Sequence, residues 1–210
     1  MRKVLVAVFG ILSGVLFVNL NAQDNLDKFG IDEENHIPVG LNIGDVAPII
    51  YETAVNGEKI NTADLVGKEE VVIIFYRGQW CPVCNKYLSN LSDSLEMIES
   101  KATVIVIGPE TFENANKEAD LHDDAFTIVA DTTGMYLIGF DVAFTVTEKY
   151  QKKIKTFLHT SIAENNNQSE AQLPVPATYV IGKDGRIKYR HFDYDYKVRA
   201  TASEILGALE

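Results

Sequence analysis

A single α/β domain, a β-sheet with helices packed on its faces, is predicted by three features of the 210-residue sequence. Two short unbroken apolar runs rich in β-branched residues, Val71 to Phe75 and Thr103 to Ile107, read as strands buried on both sides. Between them the apolar residues Cys84, Leu88, Leu91, Leu95 and Ile98 recur in steps of four and three, one face of a helix. Near the end of the chain a strand, a tight turn, a second strand and a closing helix follow one another. Composition agrees, because 46% hydrophobic and 23% charged residues support a packed core and exclude disorder, collagen and coiled coil. The length suits one domain with an extension.

The extension comes first. Arg2 and Lys3 precede Val4 to Val18, a stretch free of charge, and a polar stretch follows from Asn19 to Asp24. Spanning a bilayer takes about 20 apolar residues, so this run has the length of an export signal, with Ala22 as a small residue at the cleavage point. Residues 1–22 are therefore expected to be a signal peptide, with an uncleaved N-terminal membrane anchor as the alternative. Export implies a periplasmic setting, where a close cysteine pair becomes oxidised unless an exported or membrane-relayed thiol reductant acts on it. Residues 23–43 are polar and acidic with Gly30, Pro38 and Gly40, and read as a loosely ordered lead-in. The domain is expected over 44–210.

Within it, the first buried strand ends at the turn signal Arg77-Gly78 and the second at Gly108-Pro109. Residues 110–121 are helix-like, 126–130 strand-like, and Asp131 to Gly134 open a short helix. The stretch 139–173 reads as an insertion with helical character over Lys149 to His159 and a loop at Asn165-Asn166-Asn167. Ala177 to Ile181 is a strand, Lys183-Asp184-Gly185 a tight turn, Arg186 to His191 the antiparallel partner, and Thr201 to Leu209 a helix. Lys and Arg number 19 against 30 Asp and Glu, a formal net charge of -11. Such a surface repels phosphate backbones and argues against a nucleic-acid partner.

The chemistry concentrates where the first buried strand gives way to its helix, at Trp80-Cys81-Pro82-Val83-Cys84. A cysteine at a helix N-terminus meets unpaired N–H groups and the positive end of the helix dipole, which favour thiolate over thiol. Cys84 lies one turn further along, within reach for a sulfur–sulfur bond, and Pro82 suits a first turn because it has no N–H to leave unpaired. The pair is thus suited to toggle between dithiol and disulfide. A zinc site would need two of the scattered His36, His122, His159 and His191, and covalent haem would need His where Asn85 stands. No metal and no cofactor are expected. An inert structural disulfide closes too small a loop to add much stability.

Phe75-Tyr76-Arg77-Gly78-Gln79-Trp80-Cys81-Pro82-Val83-Cys84-Asn85, together with Leu173 to Ile181, resembles the peroxiredoxin-like branch of the alkyl hydroperoxide reductase and thiol-specific antioxidant (redoxin) family. The likeness runs from Ile43-Gly44-Asp45-Val46-Ala47-Pro48 to Asp193-Tyr194-Asp195-Tyr196. It implies a thioredoxin-like fold, a central mixed sheet flanked by helices. It also implies catalysis by Cys81 and Cys84, with Trp80, Arg77 and Pro176 at the substrate. Pro176 matches the position of a cis-proline facing the cysteine pair; without the resemblance it is a rigid residue entering a strand. Trp80 either shields the thiol or packs. Arg77 and Arg199 are both candidates for the cation that stabilises the thiolate.

The resemblance implies a hydroperoxide as substrate, with protein disulfides as the alternative. Aligned on peroxiredoxins, Arg77 and Cys81 stand at the family's Pro and Thr positions and Cys84 attacks. Aligned on thioredoxins, Cys81 attacks and Cys84 resolves. A third reading is a non-catalytic exported binding domain whose cysteines are a staple. No motif fixes the oligomeric state.

Overall fold

The computed structural model describes residues 26–123 and 125–210, so the expected export signal at 1–22 lies outside the described residues. In chain order the elements are β1 (Tyr51–Thr53), β2 (Lys59–Asn61), β3 (Glu70–Phe75), α1 (Pro82–Ser92), α2 (Leu95–Glu99), β4 (Ala102–Gly108) and α3 (Phe112–Leu121). There follow β5 (Thr127–Ala130), α4 (Met135–Gly139), β6 (Ala143–Thr145), α5 (Glu148–Leu158), α6 (Ile162–Asn166), β7 (Gln172–Pro174), β8 (Thr178–Ile181), β9 (Ile187–His191) and α7 (Ala202–Ala208).

The main sheet has the order β5-β4-β3-β8-β9. The first three are parallel, while β8 pairs antiparallel with both β3 and β9, so the sheet is mixed with β3 at its centre. Both faces of β3 are covered. Val72, Ile74 and Tyr76 join a core cluster with Cys81, Cys84, Leu88, Leu91 and Ile205. Val71, Ile73 and Phe75 join the other, with Tyr136, Phe140 and Tyr179. The period of two in a strand sends alternate side chains to opposite faces, which is why an unbroken apolar run is needed here. The β8–β9 hairpin turns at Gly185, whose φ of 77° lies in the left-handed region that glycine adopts freely.

Three expectations change. The stripe from Cys84 to Ile98 is buried throughout but belongs to two helices, broken at Asp93-Ser94, residues of low helix propensity. The lead-in is anchored over its described part. Leu26 and Ile31 are buried, Ile31 bridges to Val146, and the Asp32 N–H donates to the Thr145 carbonyl at 3.0 Å. The insertion resolves into β6, α5, α6 and β7, with β6 and β7 forming their own antiparallel pair. Asn165 and Asn166 close α6 and Asn167 caps it in the left-handed conformation, where a plain loop was expected.

Pro176 requires a further correction. No cis peptide bond occurs among the described residues, so the Val175–Pro176 bond is trans. The chain reverses there without one. The Ala177 N–H donates to the Val175 carbonyl at 2.8 Å, a three-residue turn that suits the fixed φ of proline at its centre. The Phe75 N–H then donates to the Ala177 carbonyl at 2.9 Å, which seats buried Pro176 beside the end of β3 that leads to the cysteines.

Candidate active site

The carboxyl ends of parallel strands gather at one edge of an open sheet, and the cysteines sit there. Past Phe75 the Tyr76 N–H still bonds the Ile107 carbonyl at 3.0 Å, holding β3 and β4 in register to their ends. Arg77 and Gly78 then leave the sheet. Gly78 has φ 131°, and a Cβ there would stand 2.6 Å from the Trp80 Nε1 atom, so the indole can fold back only over a glycine. Cys81 follows as the N-cap residue of α1, extended at φ -91° and ψ 102°, with Pro82 in the first turn as expected.

The two sulfurs are free thiols approaching to 2.7 Å, with Cys84 Sγ donating to Cys81 Sγ. Both residues are buried, Cys81 with 2% exposure and Cys84 with none. Their protonation separates. The hydrogen bond from Cys84, reinforced by the charges of Arg77 and Arg199, brings the Cys81 thiol down to about 6 despite its burial. Burial pushes Cys84 well above the ordinary thiol value, and the neighbouring Cys81 adds to it. The arrangement therefore holds one thiolate and one thiol.

Both candidate arginines reach the site from different segments. Arg199, in the segment between β9 and α7, donates from its Nη2 to Cys84 Sγ at 3.3 Å and from its Nη1 to the Phe75 carbonyl at 3.3 Å. Arg77 is buried within an aromatic box, its guanidinium 4.1 Å from the Tyr196 ring centre, 5.2 Å from Trp80 and 5.4 Å from Tyr150. It donates to the Tyr150 hydroxyl at 2.9 Å. Face-on aromatic rings compensate part of the desolvation of a buried cation. Trp80 packs on Arg77, and its Nε1 is buried without a hydrogen-bond partner.

Sequence reasoning missed a second layer beneath the cysteines. Glu110, two residues past the end of β4, is fully buried. It accepts from the Tyr76 hydroxyl at 2.5 Å and from the Gln79 N–H at 3.1 and 3.0 Å. Glu118 on α3 is also fully buried and pairs with His122 at 3.0 Å, its second oxygen unpartnered. Burial raises the two carboxyls to about 7 and about 8. One signal was available: Glu118 occupies the Ala115–Ala119 side of α3, where the helical pattern calls for an apolar residue.

Set beside known proteins, residues 43–190 match the model of the AhpC/TSA family. The thiol-disulfide oxidoreductases ResA of Bacillus thuringiensis and Bacillus anthracis are each 27% identical over 147 residues, covering 70% of this chain and 68% of theirs. Among solved structures, the peroxidoxin BcpB of Mycobacterium tuberculosis superposes with a TM-score of 0.57 at 18% identity, covering 83% of this chain and 97% of its own. Peroxiredoxin 6 of Arenicola marina gives 0.61 at 16% identity, covering 81% and 72%. The mixed sheet with flanking helices is thus the thioredoxin-like fold that the family resemblance implied.

Proposed function

This chain belongs to the AhpC/TSA family and is a thiol-based oxidoreductase, and we propose that it reduces hydroperoxides through a cycle in which Cys81 attacks and Cys84 resolves. The observation that carries the reading is the division of the pair into a buried thiolate flanked by two arginines and a deeper thiol. Cys81 Sγ attacks the terminal peroxide oxygen, an S–O bond forms as the O–O bond breaks, and the alkoxide or hydroxide that leaves takes a proton from solvent to become the alcohol or water. Cys81 becomes a sulfenic acid. Cys84 then attacks Cys81 Sγ, hydroxide departs and takes a proton to become water, and a disulfide joins the two residues. A thiol reductant returns two electrons and two protons to restore the dithiol.

The order Cys81 then Cys84, that of the thioredoxin alignment, is supported by Cys84 being the more deeply buried sulfur and the harder one to ionise. Arg199 and Arg77 supply positive charge on the side of the sulfurs, where the departing oxygen gains electrons. With 2% exposure at Cys81, a small peroxide fits the site better than a protein disulfide, which must lay its own backbone across the attacking sulfur. Disulfide exchange stays as the second reading, favoured by the ResA relatives and supported by the same order of attack. We place the reaction outside the cytoplasm on the strength of residues 1–22, with an exported or membrane-relayed reductant.

Reduced full-length protein mixed with hydrogen peroxide or cumene hydroperoxide tests the assignment. Oxidation far faster than that of a free thiol is expected, with sulfenic acid trapped at Cys81 in a Cys84→Ser variant. Ready reduction of insulin disulfides with indifference to peroxide would transfer the assignment to the second reading. Sulfenic acid accumulating at Cys84 in a Cys81→Ser variant at the wild-type rate would reverse the order.

A further inference from the structure

The lead-in and the insertion meet on one side chain, Tyr150, in the first turn of α5. Its hydroxyl accepts from Arg77 Nη2 at 2.9 Å, the one hydrogen bond of the Arg77 side chain among the described residues. Arg77 Nε is buried without a partner. The rings around Arg77 attract its charge with little directional demand, whereas a hydrogen bond is directional, so the Tyr150 bond is what orients the guanidinium. Tyr150 is buried, and phenylalanine would pack this corner of the core equally well. Burying a hydroxyl costs free energy unless it is bonded, and the bond it makes here is to Arg77.

The lead-in presses on the ring itself. Leu26–Phe29 form one turn of 3-10 helix that ends at Gly30, with φ 91°. A Cβ at Gly30 would stand 2.6 Å from Tyr150 Cγ and 2.7 Å from Cδ1, so only glycine lets the backbone lie against the ring. Backbone bonds hold this approach. The Gly30 N–H donates to the Asp27 carbonyl at 2.9 Å, and the Thr147 N–H donates to the Gly30 carbonyl at 2.9 Å. Thr147 is the N-cap of α5, so the lead-in is tied to the turn that carries Tyr150.

We propose that Tyr150 is a positioning residue for attack by Cys81: its hydroxyl aims the Arg77 guanidinium at the sulfurs, and the lead-in, through Gly30, holds the ring in place. This rests on the thiol chemistry above and extends it to two segments outside the cysteine motif. Arg77 faces Cys81, Cys84 and Tyr150, and Arg199 also faces Cys81. Tyr150 is faced by Tyr196 and by Lys153, whose Nζ lies 5.8 Å from its ring centre. Burial pushes Tyr150 up to about 12, so it stays a neutral acceptor for the arginine at neutral pH. Without the hydroxyl, the guanidinium can turn within its box and carry its charge away from Cys81.

Tyr150→Phe removes the hydroxyl and keeps the ring. In reduced full-length protein, thiolate absorbance against pH is expected to show the Cys81 midpoint raised by about half a unit. Oxidation by hydrogen peroxide is expected to slow roughly tenfold, because a misaimed charge stabilises the departing oxygen less. Gly30→Ala, which forces the ring to shift, should move the midpoint in the same direction. In an Arg77→Met background neither change should move it further, because the arginine through which they act is gone.

Urea unfolding establishes that each variant is folded. A folded Tyr150→Phe with the wild-type midpoint and rate overturns the proposal. A shift of undiminished size in the Arg77→Met background overturns it equally, since the tyrosine would then act by packing and not through Arg77. A wild-type midpoint in folded Gly30→Ala refutes the part given to the lead-in. The titration needs no substrate, so its outcome is separate from that of the functional reading. Wild-type oxidation by peroxide no faster than that of a free thiol refutes that reading, while the midpoints still judge the link from Tyr150 to Cys81.

Discussion

At Cys81 three influences favour the thiolate against burial: the hydrogen bond from Cys84, the nearby arginines and the start of a helix. The aromatic box holds Arg77 in place without a carboxylate partner among the described residues, which leaves its charge available to the sulfur. Replacing Arg77 by Met should therefore raise the Cys81 value from about 6 by roughly one unit, read as thiolate ultraviolet absorbance against pH. An unchanged titration would assign the arginine to packing alone. Most site residues legible in the sequence are contiguous with the cysteines, because one turn and one helix start carry them, whereas Pro176 was read from the family resemblance alone. Glu110, Tyr150, Tyr196 and Glu118 were not legible, since each arrives from a separate element and only the closed fold brings it near. Arg199 was named as a candidate, but no spacing could distinguish it from Arg77.

Elements that the sequence revealed are those with a strong period or a strong stop. β3, β4, the β8–β9 hairpin and α7 fall within a residue or two of expectation, because apolar β-branched runs, the Lys183-Asp184-Gly185 turn and a Thr201 cap all act locally. The three-residue strands β1, β2, β6 and β7 went unseen, being too short to show alternation. Their identity comes from pairing with a distant segment or across a turn.

Gly108 shows how an element's end can set the site. A Cβ there would stand 2.4 Å from the Tyr76 ring. Gly108→Ala should cost about 1 to 3 kcal/mol in denaturant unfolding by overpacking. It should also move the tyrosine away from Glu110. A variant with wild-type stability and an intact Tyr76–Glu110 bond would show that the strand end yields easily.

For the molecule as a whole, the buried carboxyls link stability to pH. Glu110 and Glu118 rise from 4.5 to about 7 and about 8, so between those values the folded chain holds protons that the unfolded chain has released. Their contribution is fully present below about pH 4.5 and is lost as pH rises through about 7 and 8. Cys81 acts in the opposite sense, because its depressed value stabilises the fold at high pH and that contribution is lost as pH falls through about 6. Comparison with Glu118→Gln isolates the carboxyl. Relative to wild type the variant should gain on the order of 3 kcal/mol in urea unfolding between about pH 5 and 8, and a difference constant with pH would contradict a buried, titrating Glu118.

Trp80 is the single tryptophan of the chain, and it is buried one residue before Cys81 with Arg77 against its ring. Its ultraviolet emission is therefore a built-in optical reporter of the neighbouring sulfur. Disulfides quench indole fluorescence, so each turnover dims and then restores the protein's own light, and the reaction can be followed in real time without any label.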